Sequence, residues 1–182
     1  GSPKFVKLSE SNLLENAKSI LDYLPISSND VTPLNLPIFY SYGLSVLHIN
    51  SIKGGEIICG VSDILQRNFW KEFDRYKFTS ISGVPYMYEM LNRIGFRKKQ
   101  YPSLKYCTQA GGNLNEKTKE IFLDYFEKNN VKFYVMYGQT EASARISFVP
   151  PNKLRNNLTS IGNSILNGEL SINEETNELV YR

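Results

Sequence analysis

Leu13, Leu14, Ala17, Ile20, Leu21 and Leu24 recur three and four residues apart. That spacing predicts a helix over 10–23, with Ser9 as its N-cap and Pro25 beyond its end. Ahead of it, Phe5, Val6 and Leu8 predict a short strand. The polar stretch 27–32 reads as loop, Leu34-Asn35-Leu36 as a short strand, and 37–43 as a loop displaying aromatic rings. From Leu44 an apolar run predicts a second helix to about Ser51, stopped by Gly54-Gly55. Glu56 to Cys59 reads as a strand with Ile57 and Ile58 inside. Asp63 then caps a helix to about Tyr76 that turns Ile64, Leu65, Phe69, Trp70 and Phe73 inward.

The same alternation continues. Phe78 to Ser82 is strand-like and turns through Gly83-Val84-Pro85 into a helix carrying Met87, Tyr88, Met90, Leu91 and Ile94. Leu104 to Gln109 is the next strand, Gly111-Gly112 a tight turn, Asn115 to Lys128 a helix, and Val131 to Met136 another strand. Strand and helix in repeated succession predict an α/β fold: a mostly parallel sheet with right-handed crossovers, flanked by helices on both faces. The tail departs from this rhythm. Ala144 to Val149 is strand-like, 150–159 is loop, and Gly168 to Ile172 pairs with Glu178 to Tyr181 in a small antiparallel hairpin at the edge. The division is one α/β unit over 1–182, with a parallel core over 1–160 and edge strands over 161–182.

Composition adds few constraints. At 182 residues the chain is of single-domain length, large enough to bury roughly 70% of its unfolded surface. Its 41% hydrophobic content is that of a globular chain. The formal charge of +3 is modest, and Arg97-Lys98-Lys99 is the one basic run, so nucleic-acid binding has no electrostatic footprint. Cys59 and Cys107 sit in apolar, strand-like settings without metal-ligand spacing, as expected of buried free thiols in a reducing compartment. With no signal-peptide pattern and no apolar run near the ~20 residues of a membrane span, the expected location is cytoplasmic.

The chemistry concentrates in Tyr137-Gly138-Gln139-Thr140-Glu141. It supplies a flat aromatic face, a glycine that lets backbone approach, a hydroxyl and a carboxylate. A nucleotide with a divalent cation uses all four, although an aromatic-Gly-polar cluster after a strand is also an ordinary turn. Three polar loops fall at carboxyl ends of predicted strands: 37–43, 110–114 and 137–141. That is where open parallel sheets bind ligands. Competing schemes lack parts. His48 is the single histidine and lies in an apolar helical run, as a core residue would. No Gly-x-Ser-x-Gly elbow exists, two cysteines and one histidine do not make a zinc site, and the full phosphate-loop motif is absent.

Six blocks in order then resemble a known family. They are Gly1-Ser2-Pro3-Lys4, Leu36-Pro37-Ile38-Phe39-Tyr40 with Tyr42-Gly43-Leu44, Ser82-Gly83-Val84-Pro85, Gln109-Ala110-Gly111-Gly112, the Tyr137–Glu141 pentad, and Ser160-Ile161-Gly162-Asn163. Together they resemble the adenylate-forming superfamily, the AMP-binding acyl-CoA synthetases, and within it the fatty-acid or small-acid CoA ligases. The resemblance implies that Tyr137 stacks on adenine beside Gly111, Gly112 and Asn113, with Gly138 and Gln139 in the same site. It further implies that Thr140 binds the α-phosphate of ATP, that Glu141 holds Mg2+, and that Lys4 belongs to the phosphate loop. Phe39, Tyr40, Tyr42, Gly43 and Gly83 would line the acyl pocket.

The implied reaction joins a carboxylic acid to ATP as an acyl-adenylate and passes the acyl group to coenzyme A. An acyl-carrier protein as acceptor, or a non-catalytic nucleotide-binding module, are the alternatives. The family often has histidine where Tyr40 and Glu10 stand. The Ser/Thr/Gly-rich start of the phosphate loop, the ribose-binding aspartate and the small C-terminal domain with its lysine are not in this sequence. The chain therefore resembles the central segment of a larger enzyme, expected to be inactive without the remainder.

Overall fold

The computed structural model describes residues 5–182. Helix α1 spans Glu10–Tyr23, as the periodicity predicts. It opens in a capping box in which the Ser9 hydroxyl accepts from the Asn12 N–H and the Asn12 side chain accepts from the Ser9 N–H. The expected strand at 5–8 is absent, and Phe5 lies fully exposed; three apolar residues with nothing opposite them do not make a strand. Strand β1 is Val31–Pro33, earlier than the predicted Leu34–Leu36. Register decides this. Val31 pairs with Glu56 and Pro33 with Ile58 of the parallel strand β2 (Glu56–Ile58), and buried Asp30 fixes the turn before β1 by accepting from Ser27 and Lys105. Helix α2 (Ser41–Lys53) starts three residues before its predicted beginning and ends on Gly54 in the left-handed conformation. Tyr42 is accordingly a buried helical residue, not part of an exposed loop.

Helix α3 (Arg67–Tyr76) begins after Gln66. Asp63 instead closes the preceding turn by accepting from the Leu65 N–H. Then come β3 (Ser80–Gly83), α4 (Pro85–Arg93, with proline in its first turn), β4 (Tyr106–Gln109), α5 (Glu116–Lys128, capped by Asn115) and β5 (Lys132–Tyr137). Strands β3, β4 and β5 are parallel and in register, with Gly83 beside Gln109 and Gln109 beside Val135. The small β1–β2 sheet adjoins β3 through the Thr79 N–H, which donates to the Val31 carbonyl at 2.8 Å.

Past β5 the chain doubles back. β6 (Ser147–Val149) and β7 (Asn163–Ser164) are antiparallel, joined through the short helix α6 (Pro151–Leu154) inside the stretch predicted as loop. The predicted hairpin exists as β8 (Leu170–Ile172) with β9 (Leu179–Tyr181), in a two-stranded sheet of its own.

Alternation along the strands sorts two cores. Ile81, Cys107, Phe133 and Val135 face α3, α4 and α5, among Phe69, Phe73, Tyr88, Leu91, Phe122 and Phe126. Tyr106, Tyr134 and Met136 face α1 and α2, among Ala17, Ile20, Tyr42, Val46 and Ile49. Helices thus cover both faces of the sheet. Cys107 is buried as expected. Cys59 is exposed, because β2 ends at Ile58 and the following residue leaves the sheet. His48 is half-buried on the wall of an apolar hollow beside Phe39 and Leu44, not a core residue, since it falls on the flank of α2. Among the described residues no helix is long and apolar enough to cross a membrane.

Candidate functional site

Parallel register brings the carboxyl ends of β3, β4 and β5 to one edge, and the segments that follow them form a cleft. It is lined by Gly111, Gly112, Asn113, Tyr137, Gly138 and Gln139, with Thr159, Ser160 and Ile161 on the far side. Two blocks 24 residues apart at their nearest ends, Gly111–Asn113 and Tyr137–Gln139, thereby share one wall. Gly111 and Gly112 both have positive φ, and Gln109 Nε2 donates to the Gly112 carbonyl at 2.9 Å, holding the turn open toward the cleft. A side chain on Gly111 would run into the Tyr40 hydroxyl, so Tyr40 and this turn are packed as one unit.

The pentad loop is closed on itself. The Ile146 N–H donates to the Tyr137 carbonyl at 2.9 Å and the Ala144 N–H to the Gln139 carbonyl at 3.3 Å, while Thr140–Ala142 forms a single 3-10 turn. Gly138 is required by sterics: a Cβ there would strike the Ala144 carbonyl. The loop leaves Tyr137 half-buried and the Thr140 and Glu141 side chains exposed. Thr140 Oγ1 donates to Ser41 Oγ at 3.1 Å, linking the pentad to the first turn of α2.

The expected site residues divide into groups. Gly111, Gly112, Asn113, Tyr137, Gly138 and Gln139 converge on the cleft. Thr140 faces the adjoining apolar hollow with Phe39, Ser41 and His48, and Glu141 opens onto a broad groove between α1 and the β8–β9 hairpin. Of the acyl-pocket residues, Phe39 is almost wholly exposed, Tyr40 lies against Gly111, and Gly43 packs on the Pro37 carbonyl. Tyr42 is buried, and its hydroxyl shares a hydrogen bond of 2.7 Å with Thr108 Oγ1. Gly83 packs on the Tyr88 ring. Lys4 lies outside the described residues.

Glu141 shares its groove with Glu15 of α1; no group of three or more His, Cys, Asp or Glu side chains gathers among the described residues. A Mg2+ ion that arrives on nucleotide phosphates needs only one or two protein carboxylates, so this donor set fits such an ion and not a dedicated protein metal cage.

Two lining features escape sequence reasoning. Lys119 of α5 is buried beneath the cleft, where Nζ donates to the Leu158 carbonyl and, at 3.4 Å, to Asn113 Oδ1. Burial pulls its ammonium below the ordinary lysine value, against the opposing effect of Glu116. On the helix face its position, one residue after Thr118, marks it only as an interior site. Arg145, eight residues after Tyr137, is 2% exposed; the expected strand from Ala144 begins only at Ser147, which leaves Arg145 in the loop before it.

Comparison with known proteins bears on the whole arrangement. The 2-succinylbenzoate–CoA ligase of Listeria innocua is 25% identical over 180 residues, covering 96% of this chain and 36% of that protein. The oxalate–CoA ligase of Arabidopsis thaliana is 23% identical, covering 97% of this chain and 35% of that protein. The chain spans about a third of the length of these relatives. Among solved structures, the O-succinylbenzoate coenzyme A synthetase MenE of Bacillus subtilis in complex with AMP superposes with a TM-score of 0.82 at 23% identity, over 99% of this chain and 36% of that one. The N-terminal domain of FACL13 from Mycobacterium tuberculosis gives 0.85 at 15% identity, over 99% and 44%. Those two likenesses establish the fold alone. The sequence model for the AMP-binding enzyme family matches residues 1–181, essentially the entire chain. The chain belongs to the AMP-binding enzyme family.

Proposed function

We propose that this chain is the central segment of an AMP-forming acid–CoA ligase, carrying the adenine, Mg2+ and acyl-pocket residues of the larger protein. The observation that supports this most is the meeting of Gly111–Asn113 with Tyr137–Gln139 in one cleft at the carboxyl edge of the parallel strands. In this reading the half-buried Tyr137 ring stacks on adenine, and the backbone of Gly111 to Asn113 borders the base. Thr140, anchored to Ser41, hydrogen-bonds the α-phosphate through its hydroxyl, and Glu141 holds the Mg2+ that balances phosphate charge. Lys4 adds a cation at the phosphates.

Attack of a carboxylate oxygen on the α-phosphorus forms the acyl–O–P bond and breaks the bond to pyrophosphate, with no proton to remove from the ionised acid. Positioning and charge neutralisation therefore carry the step, and it needs no general base. The thiolate of coenzyme A then attacks the acyl carbon, and AMP leaves. The acyl end lies against Tyr40, Tyr42 and Gly83. The relatives' names attach the family to acids as different as oxalate and 2-succinylbenzoate; the cleft accordingly sets the nucleotide, and the α2 side of the site sets the acid.

The test is carboxylate-dependent ATP–pyrophosphate exchange by the full-length protein. Thr140→Ala and Glu141→Gln are each expected to lower the rate by about 100-fold or more. Exchange that survives both changes at the wild-type rate would overturn the reading.

A further inference from the structure

Lys119 is a buried cation beside the cleft without a paired carboxylate. It is 2% exposed, and among the described residues its ammonium enters no ion pair. Glu116, three residues back on α5, acts on it only as a nearby charge. The other inward-facing residues of this helix, Phe122, Leu123 and Phe126, are apolar. Burying a charge among them is costly, and a methionine of similar length would fill the place without that cost. Stability alone does not account for a lysine here.

What the ammonium touches is both sides of the cleft. Nζ donates to Asn113 Oδ1 at 3.4 Å and to the Leu158 carbonyl. Asn113 ends the glycine turn that forms the near wall, and Leu158 directly precedes Thr159, Ser160 and Ile161, which form the far wall. The far wall is held at its other end by Ser147, whose Oγ donates to the Ile161 carbonyl at 2.7 Å. Ser147 stands opposite Tyr137 in the β5–β6 ladder. The far wall is therefore fastened to the Tyr137 side through Ser147 and to the Asn113 side through Lys119. One ammonium keeps its two acceptor oxygens within two hydrogen-bond lengths, roughly 6 Å, of each other, at the base of a cleft of about 470 Å3.

We propose that Lys119 is a positioning residue for the nucleotide: its ammonium fixes the separation of the Asn113 wall from the Thr159–Ile161 wall and so sets the slot in which the base sits. It acts through Asn113 and Leu158, not on the reacting atoms. A slot already held at its bound width spares the nucleotide the cost of ordering two loops. The inference rests on the nucleotide reading of the cleft given above.

The experiment titrates AMP and adenosine into the full-length protein and records the unliganded Tm of each variant. Lys119→Met is expected to bind both probes about tenfold more weakly, the loss of one charge-assisted tie between the walls, with an unliganded Tm equal to or above wild type. Lys119→Arg still donates to both oxygens and has the open cleft above its longer head; it is expected to bind within about threefold of wild type. Asn113→Ala, at an exposed position, removes one of the two acceptors and is expected to weaken binding by about threefold to tenfold. The double variant Lys119→Met with Asn113→Ala is expected to bind no more weakly than Lys119→Met alone. Wild-type affinity in Lys119→Met, losses that add in the double variant, Lys119→Arg binding as weakly as Lys119→Met, or a large drop in the Tm of Lys119→Met would each overturn the proposal and leave the nucleotide reading intact. Failure of the wild-type protein to bind either probe would overturn that reading and this inference with it.

Discussion

The two faces of the central sheet both carry an apolar core but differ in how much polar chemistry they bury. Against α3, α4 and α5 the strands present Ile81, Cys107, Phe133 and Val135 to a continuous aromatic cluster in which Phe122 touches Tyr88, Phe96 and Phe126. Against α1 and α2 the same strands present Ser80, Ser82 and Thr108, roofed by Tyr42, Asn50 and Arg145. The first face is what hydrophobic burial and ring packing produce when stability alone is at stake. The second buries hydroxyls, an amide and a cation that an apolar filling would replace at little cost or some gain. The difference teaches where to look for ligand chemistry: on the face whose composition stability does not explain.

The contrast can be broken from the aromatic side first. Phe122→Ala is expected to cost about 3–5 kcal/mol, because it empties a fully buried ring site among rigid neighbours; urea unfolding at equilibrium measures it. Next comes the turn before β1, where buried Asp30 accepts from Ser27 and Lys105. Asp30→Ala is expected to cost about 2–3 kcal/mol. Burial raises that carboxyl, but the hydrogen bonds from Lys105 and Ser27 outweigh it and leave Asp30 below its ordinary value. Its contribution is therefore complete above about pH 4 and is lost as pH falls through the lowered value. Wild-type stability is expected to fall in that acid range, and Asp30→Ala to show a flatter pH profile.

On the polar face the expected effects are smaller and depend on partners. Thr108→Val strands the Tyr42 and Ser82 hydroxyls and is expected to cost about 1–3 kcal/mol. Combining it with Tyr42→Phe and Ser82→Ala removes all three polar groups and is expected to recover most of that loss, as non-additive unfolding energies in a mutant cycle. A triple variant that loses the sum of the singles would mean the hydroxyls serve stability after all.

Sequence carried the fold well where periodicity was long. Helix α1 falls on its predicted span, and β3, β4 and β5 lie within two residues of theirs, because caps, Gly83-Val84-Pro85 and Gly111-Gly112 punctuate them. It failed where partners decide. β1 sits at Val31–Pro33 because β2 and Thr79 pair with it there, a fact no local pattern at Leu34–Leu36 contains. Tyr42 read as an exposed aromatic because an N-terminal helical turn without a capping side chain leaves no sequence signal. At the site, the residue types of Gly111–Asn113 and Tyr137–Gln139 were legible, and their convergence followed from parallel order. Thr140 opens onto a neighbouring apolar hollow instead, while Glu141 lines a broad groove that Tyr137 and Gln139 also border. Arg145 stayed hidden because the strand-like run from Ala144 does not show that the strand begins only at Ser147 and leaves Arg145 in the loop before it, buried.

The central claim is that the Gly111–Asn113 and Tyr137 wall receives an adenine nucleotide, and calorimetric titration of AMP into the full-length protein tests it most directly. Wild type is expected to bind, and Tyr137→Ala to bind about tenfold or more weakly through the lost stacking. Indistinguishable isotherms for the two proteins would contradict the account.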